Sequence, residues 1–258
     1  MWLQMVLTVD IGNTNMEFGI FEGEKLRANF RLVTNRNVTS DEVGLLMTQF
    51  FTIQKIDVNA IEAVVIASVV PQVMFSVSNA MRKYIGKEPL VAGENLPIQL
   101  KNNYHNPKEV GADRLVNAYA AYRKYGGPLI VVDFGTATTF DLVGEDGSYE
   151  GGTIYPGIKV SMEALTRNAA KLPTVELNDP GTAIGRDTVT SMQAGVIYGY
   201  VGAVLHMIDK ISDELGQKTT VVATGGLSTL LNQSTQMFDV IDKTLTLEGL
   251  MQIYLDRQ

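Results

Sequence analysis

One pattern in this chain is written twice, and it constrains the fold more than any other feature. Residues 7–26, LTVDIGNTNMEFGIFEGEKL, and 130–151, IVVDFGTATTFDLVGEDGSYEG, share an order of elements. Each has an apolar strand ending in Asp, one apolar residue, Gly, small polar residues, and an alternating strand. Asp10 matches Asp133 and Gly12 matches Gly135, and Phe18 and Phe140 align after a one-residue slip. Each second strand ends in a turn rich in Gly and acids, EGEK at 22–25 and GEDG at 144–147, before a third strand. Two hairpin signals in series predict a β-β-β meander in both halves.

The segments after each meander also repeat. SDEVGLLMTQFF (40–51) has an acidic start and helical spacing, AVVIASVV (63–70) reads as a buried strand, and Pro71 opens a helix over 72–85. PLVAG (89–93) is a short strand. The second half answers with helices at about 157–168 and 188–215, a strand at 219–226, a helix at about 226–232, the strand FDVID and a helix at about 246–256. The order β-β-β-α-β-α-β, roughly duplicated, predicts two related α/β domains. Brought together, they would set both Asp-Gly turns on one cleft, where ligand sites commonly lie. Two D-x-G turns could be alike by chance, but the shared hairpin and strand after them argue for duplication.

Composition narrows the function. At 258 residues and 45% hydrophobic content the chain can bury a sizeable core. A net charge of −7 argues against a general nucleic-acid or membrane-surface binder. There is no cysteine, so thiolate metal sites are excluded, and with His105 and His206 the only histidines the sequence argues against a zinc site built from several of them. The N-terminal stretch lacks a basic n-region and an A-x-A-like site, and no apolar run reaches the roughly 20 residues of a membrane span. The expectation is a cytoplasmic protein with neither nucleic acid nor membrane as partner.

Several residues could carry chemistry. Asp10 at a strand end could bind Mg²⁺ directly or through water, with Gly12 allowing close backbone approach to a phosphate and Asn13, Thr14 and Asn15 as donors. Capping of an ordinary turn is the alternative. The echo at Asp133, Gly135, Thr136 and Thr138 favours two carboxylates holding cations and a polyphosphate. In NPKEVGADRLVNA, Asp113 and Arg114 sit in a helix's first turn, where the dipole alone would favour an acid. Asp113 could instead be a general base for a hydroxyl, with Arg114 binding a carboxylate or phosphate. Both readings stand at this point. VVATGG allows close approach to a ring or phosphate, and neither G-x-G-x-x-G nor a P-loop is present. Asp187 is a plausible N-cap for the long helix, with Thr188 after it. Gly195, Gly199, Gly202 and His206 form a stripe suited to close helix packing, within a chain or between subunits.

Taken in order, DIGNTN, NPKEVGADRLVNA, VVDFGTATTFD, GGTIYPGI, GRDTVTSMQAG and ATGG make the chain resemble the type III pantothenate kinases over essentially its whole length. That family belongs to the acetate and sugar kinase, heat-shock ATPase and actin superfamily. The resemblance implies an α/β fold of two duplicated ribonuclease H-like (actin-like ATPase) domains around an ATP cleft, here over 1–112 and 113–258. It implies ATP-dependent phosphorylation of pantothenate to 4'-phosphopantothenate, the first step toward coenzyme A. The first phosphate loop is then Asp10, Ile11, Gly12, Asn13, Thr14, Asn15, Met16 and Glu17, with Thr136 also contacting ATP. Asp113 is the proton acceptor, and Tyr104, Gly111, Ala112, Arg114 and Thr188 join it in binding pantothenate. Asp133 matches a monovalent-cation position, K⁺ or NH₄⁺, and Mg²⁺ accompanies ATP. A homodimer is implied, with Thr188 reaching the pocket near its interface.

Two rivals remain. The same fold can serve as a nucleotide-sensing or transcription-regulating module, and another kinase of the superfamily could act on a different small hydroxyl compound. The intact GADR and Thr188 favour the pantothenate enzyme.

Overall fold

Both repeats close into the expected meander. The computed structural model describes residues 5–233 and 235–257. Strand β1 (Met5–Ile11) pairs antiparallel with β2 (Asn15–Glu22), and β2 with β3 (Lys25–Val33). Helix α1 (Ser40–Gln54) starts on a capping box in which Thr39 and Glu42 each bond the other's backbone N–H. Strand β4 (Ile61–Ser68) lies parallel to β1. Helix α2 (Pro71–Ala80) has its proline in the first turn and continues as a π turn over Met81–Ile85. With β5 (Leu90–Val91), the sheet order is β3-β2-β1-β4-β5.

After helix α3 (Ala112–Tyr125) the scheme repeats. Strands β6 (Leu129–Phe134), β7 (Ala137–Val143) and β8 (Tyr149–Pro156) form the second meander. Helices α4 (Ile158–Asn168) and α5 (Thr188–Leu215) precede β9 (Thr220–Gly225), α6 (Ser228–Gln233), β10 (Val240–Ile241) and α7 (Leu245–Leu255). The second sheet runs β10-β9-β6-β7-β8, the same plan as the first with its order read from the other edge. Strand β10 is shorter than FDVID suggests. Phe238 goes into the core, and the Asp239 and Asp242 carboxylates accept from the Val221 N–H and from Lys124 and Tyr125.

The residues gather into two compact units. One holds the chain up to Leu100, His105–Arg123 and the stretch from Thr244; the other holds Lys101–Tyr104 and Lys124–Lys243. In the first, alternate residues of β1 face opposite ways. Leu7, Val9 and Ile11 join Val43, Met47, Val73 and Val77 of α1 and α2. Val6 joins Val116 and Tyr119 of α3 and Leu247, Leu250 and Met251 of α7 on the other face. The terminal helix therefore completes the first unit, and a Cβ on Gly249 would lie 2.9 Å from Val116 and Ala120, so α3 and α7 cross in close contact. In the second unit Ile130, Val132, Phe140 and Ala223 pack on Ile197, Val201 and Val204 of α5. Strands covered on both faces carry the unbroken apolar runs seen in sequence, as in the fully buried Leu129–Val132.

Candidate active site

In the first unit, Asp10 is half-buried near the C-terminal end of β1, in register with Glu17 on β2 and Ala67 on β4. The turn beyond it is tight. The Gly12 N–H donates to Asn15 O (3.0 Å), Thr34 Oγ1 donates to Gly12 O (2.7 Å) and the Thr34 N–H donates to Thr14 O (2.9 Å). Ile11 and Met16 are buried on either side, and Asn13 and Thr14 form the exposed tip. The hairpin is thus clamped by the first residue after β3, which sequence reasoning did not single out. The Glu17 carboxylate is engaged by Arg31 across the β2–β3 pair.

Gly111 directly precedes α3, and its carbonyl accepts from the Leu115 N–H (3.3 Å). The Asp113 carboxylate lies back over this glycine: a Cβ there would stand 2.5 Å from Asp113 Oδ1. That oxygen also accepts from the Arg114 N–H (2.8 Å). Loss of hydration raises the Asp113 pKa above its ordinary value, with the Arg114 N–H and guanidinium pulling the other way. Arg114 is buried and Ala112 half-buried. Val69 ties this turn to the hairpin, since its N–H donates to Ile11 O (3.1 Å) and its Cγ1 lies 3.3 Å from a Cβ on Gly111. Val69 was missed in sequence. The signal was SVVP, where a buried strand stops at a proline that starts a helix.

In the second unit, Asp133 occupies the corresponding place on β6, opposite Thr139 of β7 and beside Thr224 of β9. Gly225 has φ +85°, and a Cβ there would lie 2.7 Å from Phe134 O and 2.8 Å from Asp133 Oδ1. Glycine is thus required for the backbone of β9 to pass this close to a carbonyl and a carboxylate, both hard oxygen donors of the kind that alkali and alkaline-earth cations prefer. By the chemistry of its donors alone, this pair of oxygens suits a hard cation. Gly135 and Thr136 form the exposed turn, and their carbonyls press on Gly157, where a Cβ would stand 2.8 Å and 2.3 Å from them. Among the described residues no three His, Asp or Glu side chains gather into a metal cluster. A cation delivered with phosphate oxygens needs only one or two protein carboxylates.

Tyr104 belongs to the second unit, whereas Gly111 to Arg114 belong to the first. Thr188 begins α5, whose N-cap Asp187 accepts from the Thr190 N–H (2.9 Å). This bond is the main cause holding the Asp187 carboxyl below its ordinary pKa. Thr188 opens into a cavity of about 750 Å³ lined also by Arg186, Ser191, Met192, Leu165 and Val196. Gly195, Gly199, Gly202 and His206 are exposed on α5, and a Cβ on any of the three glycines would meet open space. The stripe is therefore not used for packing among the described residues of this chain.

Two mixed five-stranded sheets of one plan, each with a carboxylate near the end of its central strand, define a duplicated kinase and ATPase fold of the sugar kinase and actin kind. A Campylobacter jejuni protein described as a Baf family transcriptional activator is similar at TM-score 0.60 and 21% identity, over 97% of this chain and 98% of that one. The activator of 2-hydroxyisocaproyl-CoA dehydratase from Clostridium difficile, solved with ADPNP, matches at 0.56 and 10% identity over 98% and 94%. A Sinorhizobium meliloti protein described as a 2-dehydro-3-deoxygalactonokinase matches at 0.56 and 13% over 96% and 95%. The chain itself belongs to the type III pantothenate kinase family, whose profile matches residues 6–210. That family transfers phosphate from ATP to pantothenate in coenzyme A biosynthesis. Among the described residues no helix is long and apolar enough to cross a membrane.

Proposed function

We propose that this chain phosphorylates the primary hydroxyl of pantothenate to give 4'-phosphopantothenate, with Asp113 as general base. The observation that carries this reading is the Asp113 carboxylate, held over Gly111 beside buried Arg114 with its basicity raised by burial. Asp113 accepts the hydroxyl proton at a carboxylate oxygen as that hydroxyl attacks the γ-phosphorus and the bond from that phosphorus to the bridging β-phosphate oxygen breaks, releasing ADP. The Arg114 N–H fixes one carboxylate oxygen, leaving the other to take the proton. Arg114, Gly111, Ala112, Tyr104 and Thr188 orient pantothenate, which matters because phosphoryl transfer depends mainly on positioning and charge.

The Asp10–Glu17 turn receives ATP phosphate through backbone and Asn and Thr donors, and Thr136 contacts the nucleotide. Asp10 would hold Mg²⁺ arriving with ATP, and Asp133 with the Phe134 carbonyl would hold K⁺ or NH₄⁺. When bound, these cations neutralise charge on the phosphates. An assay coupled to ADP release should show pantothenate-dependent turnover, at least about tenfold faster in K⁺ or NH₄⁺ than in Na⁺. Equal rates in Na⁺ would remove the cation role of Asp133. ADP release indifferent to pantothenate, whatever the salt, would favour the regulatory reading that the description of the Campylobacter jejuni relative suggests.

The enzyme would work as a homodimer in the cytoplasm. The open glycine stripe on α5 and the exposed apolar side chains Val160, Leu165, Val189 and Leu205 of α4 and α5 support the dimer. Gly199→Glu places a charge where the monomer has room, so light scattering should report a folded monomer. A Gly199→Glu dimer of wild-type mass would move the interface elsewhere.

A further inference from the structure

Tyr149 is the largest fully buried side chain among the described residues. Its hydroxyl donates to Asp141 Oδ1 (2.8 Å), and Asp141, also fully buried, accepts from Thr139 Oγ1 on its other oxygen (3.0 Å). Burying a phenol and a carboxylate together costs more than burying a phenylalanine would, so packing alone does not account for the pair. The backbone of Tyr149 shows what the anchored ring supports. Its N–H donates to Lys101 O (2.8 Å) and its carbonyl accepts from the Asn103 N–H (2.9 Å), so residues 101–103 lie parallel to the start of β8. Asn103 Nδ2 donates to Glu150 Oε1 (2.8 Å), and the Tyr104 N–H donates to Asn102 Oδ1 (3.0 Å). The next side chain is Tyr104. Its ring tilts against the Tyr149 ring with centroids 6.3 Å apart, and it crosses Gly151, where a Cβ would be 3.8 Å away. Gly151 has φ +130°, a conformation suited to glycine.

We propose that Tyr149, held by Asp141, is a positioning residue for substrate binding: it seats residues 101–104 on β8 and thereby fixes the ring of Tyr104. This rests on the reading of Tyr104 as part of the pantothenate wall. Anchoring the phenol at its far end stops the ring from sliding along its long axis. The two backbone hydrogen bonds then set where the segment leaves the sheet, and with it the direction of the Tyr104 side chain. A core residue two strands away from the nucleotide turn at Gly135 thus sets the affinity for the acceptor rather than for ATP.

Steady-state kinetics on Tyr104→Ala, Tyr149→Leu and the double variant test this. Each single change should raise the pantothenate KM about tenfold and leave the ATP KM within about twofold, because only acceptor placement is lost. The double variant should match Tyr104→Ala alone, since Tyr149 acts through that ring. Additive effects, or a Tyr149→Leu enzyme with unchanged pantothenate KM beside a damaged Tyr104→Ala, would overturn the positioning role. A Tyr104→Ala enzyme with normal pantothenate KM would instead overturn the placing of Tyr104 in the wall, and the proposal with it. If Tyr149→Leu does not fold, Asn103→Pro carries the same test, because it deletes the hydrogen bond to the Tyr149 carbonyl from an exposed position.

Discussion

Asp113→Asn should lower kcat by about a thousandfold and leave the ATP KM within about twofold, because the proposed base is lost while the proposed nucleotide turns are untouched. Asn keeps an oxygen that can accept the Arg114 N–H, so the first turn of α3 need not rearrange. The same substitution should make the protein more stable at neutral pH. Burial raises the Asp113 pKa in the folded chain above its ordinary 3.8. A carboxyl whose folded pKa is raised favours the folded state below its unfolded pKa, and that contribution is lost as pH rises through the folded value. At pH 7 ionised Asp113 therefore costs stability, and Asn, which does not titrate, removes the cost. Thermal unfolding should show Asp113→Asn melting above the wild type at pH 7, with the gap closing as pH falls toward about 4. An inactive variant that melts higher is what a desolvated carboxylate acting as the proposed base would give. Full turnover in Asp113→Asn would end the general-base assignment, and a variant that melts lower at every pH would end the burial argument.

The architecture was legible because it rests on patterns that the chain writes locally. Strand alternation, the Pro71 helix start, the Thr39 and Glu42 capping box and the paired D-x-G turns all act within a few residues of themselves. The family followed from the order of six motifs and is matched over residues 6–210. What sequence could not show was packing between distant segments. Nothing in DIGNTN says that Thr34 will clamp the turn, or that Val69 will touch both Ile11 and Gly111. FDVID reads as a full strand, but only Val240–Ile241 form one, and nothing in those five letters says that the carboxylates of Asp239 and Asp242 will accept from the Val221 N–H and from Lys124 and Tyr125. The glycine stripe on α5 was legible as a packing surface, but only the structure shows that its partner is not elsewhere among the described residues of this chain. Gly157 was the least conspicuous. It sits in GGTIYPGI as one of three glycines, and only the fold reveals what it faces.

Gly157→Ala should cost about a hundredfold in kcat/KM for ATP, the scale expected if the 135–136 turn, proposed to contact ATP, moves by about 1 Å. The backbone at Gly157 has φ −63° and ψ 151°, which alanine adopts without strain, so conformational preference plays no part. Space is the whole effect. The new Cβ would stand 2.3 Å from Thr136 O and 2.8 Å from Gly135 O, and neither atom belongs to a side chain that can swing away. Either the 135–136 turn shifts or the start of α4 does, at a cost of about 1–3 kcal/mol in stability. Gly135→Ala is the matched control, because its Cβ would lie 3.4 Å from Ala137 O, an ordinary contact. The control should keep the wild-type melting temperature, so any activity it loses reports contact with phosphate rather than a displaced backbone. Gly157→Ala should lose stability and ATP use together. If it keeps the wild-type ATP KM and kcat despite melting lower, α4 has yielded instead of the turn, and Thr136 is not held for ATP by this contact.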